Sequence, residues 1–197
     1  RVREAISSVV LVEQRDRFTQ EALGISSGFV ISDEYILTAG HSIDVESAVY
    51  EIVTHDCKRH SAYRVALGVG RGDIDIGVLK TTREATRAVR PLSLGSVNTM
   101  HIGDTVYAVG IPLGVAKTAI NGKIKSLAAF SDFEGASMFP HIQASTPIRV
   151  GNSGGPLLNE SGTVIGIAVF AERKIILEAH KVPETYRVEP NDGYFVP

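Results

Sequence analysis

The stretch "VGNSGGPLLN" (Val150–Asn159) sets one serine, Ser153, among Gly151, Gly154 and Gly155, then runs into Pro156, Leu157 and Leu158. Glycine lets a backbone turn sharply and pass close to other groups, and the apolar residues behind it read as a buried strand anchoring the turn. Taken alone, the loop fits a structural nest of glycines as well as it fits a nucleophile. A serine hydroxyl is a weak nucleophile at neutral pH, so the second reading needs an imidazole to take its proton and an acid to orient that imidazole. The rest of the chain has to supply both.

Outward from this loop the sequence alternates apolar and polar residues and is rich in β-branched side chains. Ser7–Gln14, Ser27–Ser32, Tyr35–Ala39, Ala48–His55 and Tyr63–Gly70 form one series of expected strands. Asp104–Ile111, Lys117–Leu127, Pro140–Thr146, Gly162–Phe170 and Arg173–Val182 form a second. Asp33 and Glu34 between two strands suggest a tight hairpin. Lys80–Thr99 between the two series is polar, lacks strand alternation and is the expected linker. Short strands punctuated by turns and split by one linker indicate an all-β protein of two sheets or barrels, divided into residues 1–90 and 91–197.

Two residues offer themselves as partners of the serine. His41 closes "YILTAGHS", where a strand runs into small residues that let the backbone bend. Asp75 lies in "GRGDIDIGVLK", where burial would penalise a carboxylate lacking a hydrogen-bond donor. Asp73 points to the same face of an extended chain, so strand parity alone leaves both acids open.

"LTAGHS", "DIGVLK" and "GNSGGPLL" resemble the three signature segments of the chymotrypsin-fold (trypsin-like) serine proteases, and most nearly those of the HtrA/Deg protease domain. "YAVGIPLG", "NGKIKSL", "HIQAST" and "GTVIGIAVF" fit the same subgroup, so the likeness extends from about Ile6 to about Val188. It implies two six-stranded antiparallel β-barrels with the active site in the cleft between them. It also selects Asp75 over Asp73 and implies a catalytic set of His41, Asp75 and Ser153, with the Gly151 and Ser153 N–H groups as oxyanion donors. The primary substrate pocket implied is Thr146, Pro147, Ile148 and Arg149 with Ala168, Val169, Phe170, Ala171 and Ala179. None of these is an acid, so a small apolar side chain is the expected occupant.

The resemblance further implies polypeptide substrates, a serine endopeptidase needing no cofactor or metal, trimeric homo-oligomers and a periplasmic or other extracytoplasmic location. Asn152 stands where many secreted digestive relatives carry an aspartate that pairs with a freed N-terminal ammonium; an amide cannot make that ion pair. Ser145 and Arg149 depart from the acidic residue and asparagine common in HtrA-like chains, both within the loop that orders for activity. No PDZ domain is expected within the chain. A rival reading is a catalytically silent binding or chaperone-like module of the same fold; retention of all three catalytic residue types weighs against it.

Bulk properties exclude several other classes. Of 197 residues, 44% are hydrophobic and 21% charged, and the net charge of -2 lacks the basic excess that draws a chain to nucleic acid. No apolar run is long enough to span a bilayer. Cys57 is the one cysteine, so no internal disulfide forms. "HDCKRH" (His55–His60) groups two histidines with that cysteine but offers no fourth ligand at zinc spacing. His101, His141 and His180 are expected at the surface or at the pocket edge.

Overall fold

The computed structural model describes residues 1–70, 72–130, 138–171, 175–177, 186–188 and 192–197. Six strands, β1 (Val9–Asp16), β2 (Ala22–Val30), β3 (Tyr35–Thr38), β4 (Ala48–Val53), β5 (Arg59–Gly68) and β6 (Ile76–Lys80), close an antiparallel barrel in the order β1-β2-β3-β6-β5-β4. The chain continues through β7 (Thr105–Gly110), β8 (Thr118–Ala129), β9 (His141–Ala144), β10 (Pro156–Asn159) and β11 (Val164–Ala171), then β12 (Ile175–Leu177), β13 (Tyr186–Val188) and β14 (Gly193–Val196). A second barrel closes as β10-β11-β14-β9-β8-β7, and β12 pairs with β13 as a separate ribbon. The protein is therefore all-β, as its alternating pattern indicated, with two short α-helices among the described residues, at Val2–Ala5 and Arg83–Thr86.

The burial of β1 shows how sequence dictates this arrangement. Its first four residues, Val-Val-Leu-Val, are all buried, which a strand with one wet face does not allow. Val10 and Val12 point into the first barrel beside Val30, Ile36, Ile52 and Leu79. Val9 and Leu11 point the other way, joining Phe29, Val109, Ile111, Leu158 and Ile167 in a layer between the barrels. A fully buried aliphatic or aromatic side chain contributes about 1.5–3 kcal/mol, so this layer holds the two barrels together. β4, by contrast, alternates strictly between buried and part-exposed positions. The second barrel has its own core of Val106, Ile124, Ile142, Leu157, Ile165 and Phe195.

Two segments contribute more than their sequence patterns showed. The chain after Val188 completes the second barrel: Phe195 in β14 is fully buried, and β14 lies between β11 and β9. Residues 80–99 do more than link. Arg83, Glu84, Arg87 and Arg90 are exposed, but Ala85, Val89 and Leu92 are buried. The Leu92 N–H donates to Val30 O at 2.9 Å and the Gly95 N–H to Val164 O at 2.8 Å, so the segment is stitched to both barrels. The Asp33-Glu34 turn forms as expected, with Val30 opposite Ile36 across β2 and β3.

Candidate active site

The histidine sits on a 3-10 turn over Gly40–Ile43, directly after β3. Ile43 plugs that turn into the first barrel core. The Ile43 carbonyl accepts from the Tyr50 hydroxyl at 2.8 Å and from Arg64 Nη1 at 2.8 Å, and the same hydroxyl reaches Val45 O at 2.9 Å. Burial pushes the Tyr50 phenol pKa up, so it remains a donor. Asp75 lies just before β6 rather than within it and binds His41 twice. Its Oδ2 is 2.7 Å from His41 Nδ1, and its Oδ1 accepts the His41 backbone N–H at 2.8 Å. The carboxylate side chain is 17% exposed and the imidazole 42%, so the acid lies beneath the ring. A carboxylate facing Nδ1 selects the tautomer with its proton there and leaves Nε2 as the acceptor toward the cleft. Asp73 accepts from the neighbouring Ile74 N–H instead.

Ser153 is carried by the turn between β9 and β10. The Asn152 N–H donates to Arg149 O at 2.9 Å and Gly151 has φ 95°, the form of a type II turn, in which the third residue must take positive φ. A Cβ on Gly151 would also fall 2.6 Å from Ile111 O. The Val150 carbonyl accepts from the Leu113 N–H at 2.9 Å. Because the Val150–Gly151 peptide is planar and trans, the Gly151 N–H points away from Leu113. Among the described residues neither the Gly151 nor the Ser153 N–H donates to a protein acceptor. The first barrel grips this turn through Ser27. The Ser27 N–H donates to Ser153 O at 2.8 Å, its hydroxyl donates to Gly151 O at 2.7 Å, and that hydroxyl accepts from the Ile111 N–H at 2.9 Å. Gly154 is wedged beside β3, where a Cβ would lie 2.1 Å from Ser27 O and 2.8 Å from Ala39 N. The serine loop is thus packed against the end of the strand that leads into His41.

Of the pocket residues expected from sequence, Thr146, Ile148, Ala168 and Val169 are buried, Pro147, Phe170 and Ala171 are half-buried, and Arg149 is exposed; Ala179 lies outside the described residues. The Phe170 ring stacks on Tyr194 at 4.8 Å and meets the edge of His141 at 5.3 Å. His141 corrects the surface expectation: it is 1% exposed. Burial pushes its imidazole pKa down, opposed by the Asp75 carboxylate. His180 lies outside the described residues. Sequence reading missed Ser27, Tyr194 and Leu113, whose contributions are a backbone grip, a stacked ring and a captured carbonyl. No group of three metal-ligating side chains occurs among the described residues.

A model of the trypsin-like peptidase domain matches residues 26–167, which contain His41, Asp75 and Ser153. The chain belongs to the trypsin-like peptidase family. Within this trypsin-like peptidase family it is 35% identical over 153 residues to a "Probable periplasmic serine endoprotease DegP-like" of Pseudomonas savastanoi pv. phaseolicola, covering 75% of this chain and 29% of that protein. It is 33% identical over 168 residues to "Protease Do-like 1, chloroplastic" of Arabidopsis thaliana, covering 80% of this chain and 36% of that one. The chain therefore spans about a third of the length of these relatives. Among solved structures, the serine endoprotease from Yersinia pestis superposes over the whole chain and 60% of its own, with TM-score 0.70 and 26% identity. The HtrA-type protease AlgW with tripeptide shares the fold at TM-score 0.74 and 23% identity. No helix among the described residues is long and apolar enough to cross a membrane.

Proposed function

We propose that this chain is an HtrA-like serine endopeptidase that cuts unfolded or exposed polypeptide through an acyl-enzyme on Ser153. The observation that carries the reading is the doubly bonded Asp75–His41 pair set beside a serine turn whose two N–H groups have no protein acceptor among the described residues. The Ser153 Oγ attacks the peptide carbonyl while His41 Nε2 takes its proton. The carbonyl oxygen becomes an oxyanion that accepts from Gly151 and Ser153, and Asp75 stabilises the imidazolium. Collapse breaks the C–N bond, and His41 returns the proton to the departing amine. Water, deprotonated by the same imidazole, then releases the acyl group and restores the serine. No step calls on a metal or cofactor.

The buried Thr146 and Ile148, the half-buried Pro147 between them and the Phe170–Ala171 edge favour a small apolar side chain before the cut. The names of the DegP-like relatives support an extracytoplasmic setting, and the family resemblance supports trimers. The two barrels, within residues 1–90 and 91–197, would act as one catalytic unit. Fluorophosphonate labelling and casein digestion test the reading. The wild-type chain should label at Ser153 and degrade casein, and Ser153→Ala should do neither while keeping its thermal unfolding midpoint. A folded wild-type chain that stays unlabelled while still binding unfolded protein would instead indicate the silent binding module.

A further inference from the structure

A buried histidine at position 141 calls for an explanation. In β9 the side chains of Ile142 and Ala144 enter the core of the second barrel, so strand alternation turns His141 away from that core. Its ring is nevertheless 1% exposed. Phe170 meets it edge-on at 5.3 Å and stacks in turn on Tyr194, while Ala129 of β8 stands opposite it. Tyr194 clusters with Ala39, and Phe170, Ala129 and Ile76 pack against the same cluster. Ala39 immediately precedes the turn that carries His41, and Ile76 directly follows Asp75. The aromatic column that holds His141 therefore abuts the two segments that bring His41 and Asp75 together. The Nδ1 atom of His141 has no hydrogen-bond partner among the described residues. A hydrocarbon ring would fill this place without an unmet polar atom; what an imidazole adds is a site for a proton. Burial disfavours its charged form, and the charge that opposes burial is that of Asp75. Among the described residues, the other ionisable groups on the elements around it are His41 beyond Asp75, Tyr194 on β14, Lys80 at the far end of β6 beside Glu34 at 3.8 Å, and two lysines of β8. Of those two, Lys125 is paired with Asp192 at 2.7 Å and Lys123 is bonded to Thr105 at 2.7 Å.

We infer that His141 is a positioning residue that acts through Asp75: as a neutral ring it shuts water away from the interior side of the carboxylate, and as a cation it draws on the charge that Asp75 lends to His41. This rests on Ser153, His41 and Asp75 being the catalytic set. Both oxygens of Asp75 are engaged by His41, and a carboxylate in a dry surrounding acts more strongly on that imidazole than a hydrated one. A proton on His141 places a positive charge in the same dry region. The imidazolium that forms as Ser153 attacks then meets a like charge, which raises the barrier. The effect is reciprocal, so the stabilisation Asp75 gives to a charge on His141 is withdrawn from a charge on His41.

Two measurements test this together: kcat on a chromogenic peptide at pH 7.5 and pH 5, and imidazole NMR titration of the histidine-labelled Ser153→Ala chain. His141→Ala, which opens a void beside Asp75, should lower kcat at pH 7.5 by about tenfold with KM changed less than about twofold, and His141→Phe should restore kcat to within about threefold of wild type. From pH 7.5 to pH 5 the ratio of wild-type kcat to His141→Phe kcat should fall by about tenfold; taking the ratio cancels the protonation of His41, which both chains share. In the NMR titration the His141 signal, assigned by its loss in His141→Phe, should titrate at a lower pH once Asp75→Asn is added. The ratio and the titration decide the matter even where His141→Ala fails to fold. A ratio that stays constant with pH, or a His141 titration indifferent to Asp75→Asn, overturns the positioning role and leaves the peptidase standing. A folded wild-type chain that hydrolyses nothing at any pH overturns the peptidase reading and the positioning role with it.

Discussion

Replacing Asp75 by asparagine tests the site at its most determined point. The two carboxylate oxygens have different tasks, one accepting the His41 backbone N–H at 2.8 Å and the other facing Nδ1 at 2.7 Å. Asparagine has one oxygen to offer. The backbone N–H can be met only by an acceptor, so the amide oxygen takes that place and the NH2 group is turned toward Nδ1. A donor there forces Nδ1 to accept and moves the ring proton to Nε2, the atom that in the proposed mechanism receives the serine proton. The wrong tautomer in an otherwise intact site lowers kcat by about 10^4-fold, or about 5 kcal/mol of barrier. Fold stability should change little, since one charge-assisted bond becomes a neutral one, about 1–2 kcal/mol. The assay is kcat on a chromogenic peptide near pH 7.5 with a parallel thermal melt. A loss smaller than about tenfold in a properly folded variant would refute the proposed role of this carboxylate.

Gly154→Ala should prevent assembly of the serine loop, because its φ is 84° and the added methyl would sit 2.1 Å from Ser27 O; a loss of about 3 kcal/mol or more is expected in urea unfolding. Leu158→Ala removes a fully buried side chain from the layer between the barrels and should cost about 2–5 kcal/mol by the same measurement. His141 gives a pH signature. Its folded pKa lies below the ordinary 6.5, so the unfolded chain takes up the proton first as pH falls. Its contribution should be fully present above about pH 6.5 and decline as pH drops through 6.5 toward the folded value. Stability of wild type and His141→Phe, compared by urea unfolding at pH 7.5 and pH 5.5, should show that slope only in the wild type.

Local signals in the sequence were the readable ones. Alternation in Ala48–Val53 and the apolar run Val9–Val12 are properties of adjacent residues, and each became the strand its pattern indicated. His41 and Asp75 could be proposed because a carboxylate in an apolar run and a histidine at a strand end are chemically conspicuous, and they meet at 2.7 Å. What stayed hidden depends on distant chain segments meeting. Ser27 is an ordinary strand serine until the second barrel brings Gly151 and Ile111 to it. His141 reads as a polar residue opening a strand, and only the packing of Phe170 shows it to be interior. Gly193–Val196 is too short to stand out by period, yet it completes a barrel. Leu113 gives no hint of its left-handed backbone in a sequence that places glycine only at the next position.

The three hydrogen bonds at Ser27 have a consequence for how the molecule comes into being. A residue made early in synthesis holds a loop made more than a hundred residues later, 124 positions on in the case of Gly151. On the proposed catalytic set, a separately translated half would hold either the hydroxyl or the base but not both. The proposed site would therefore be completed only once residue 153 has been made and the two barrels have closed on each other.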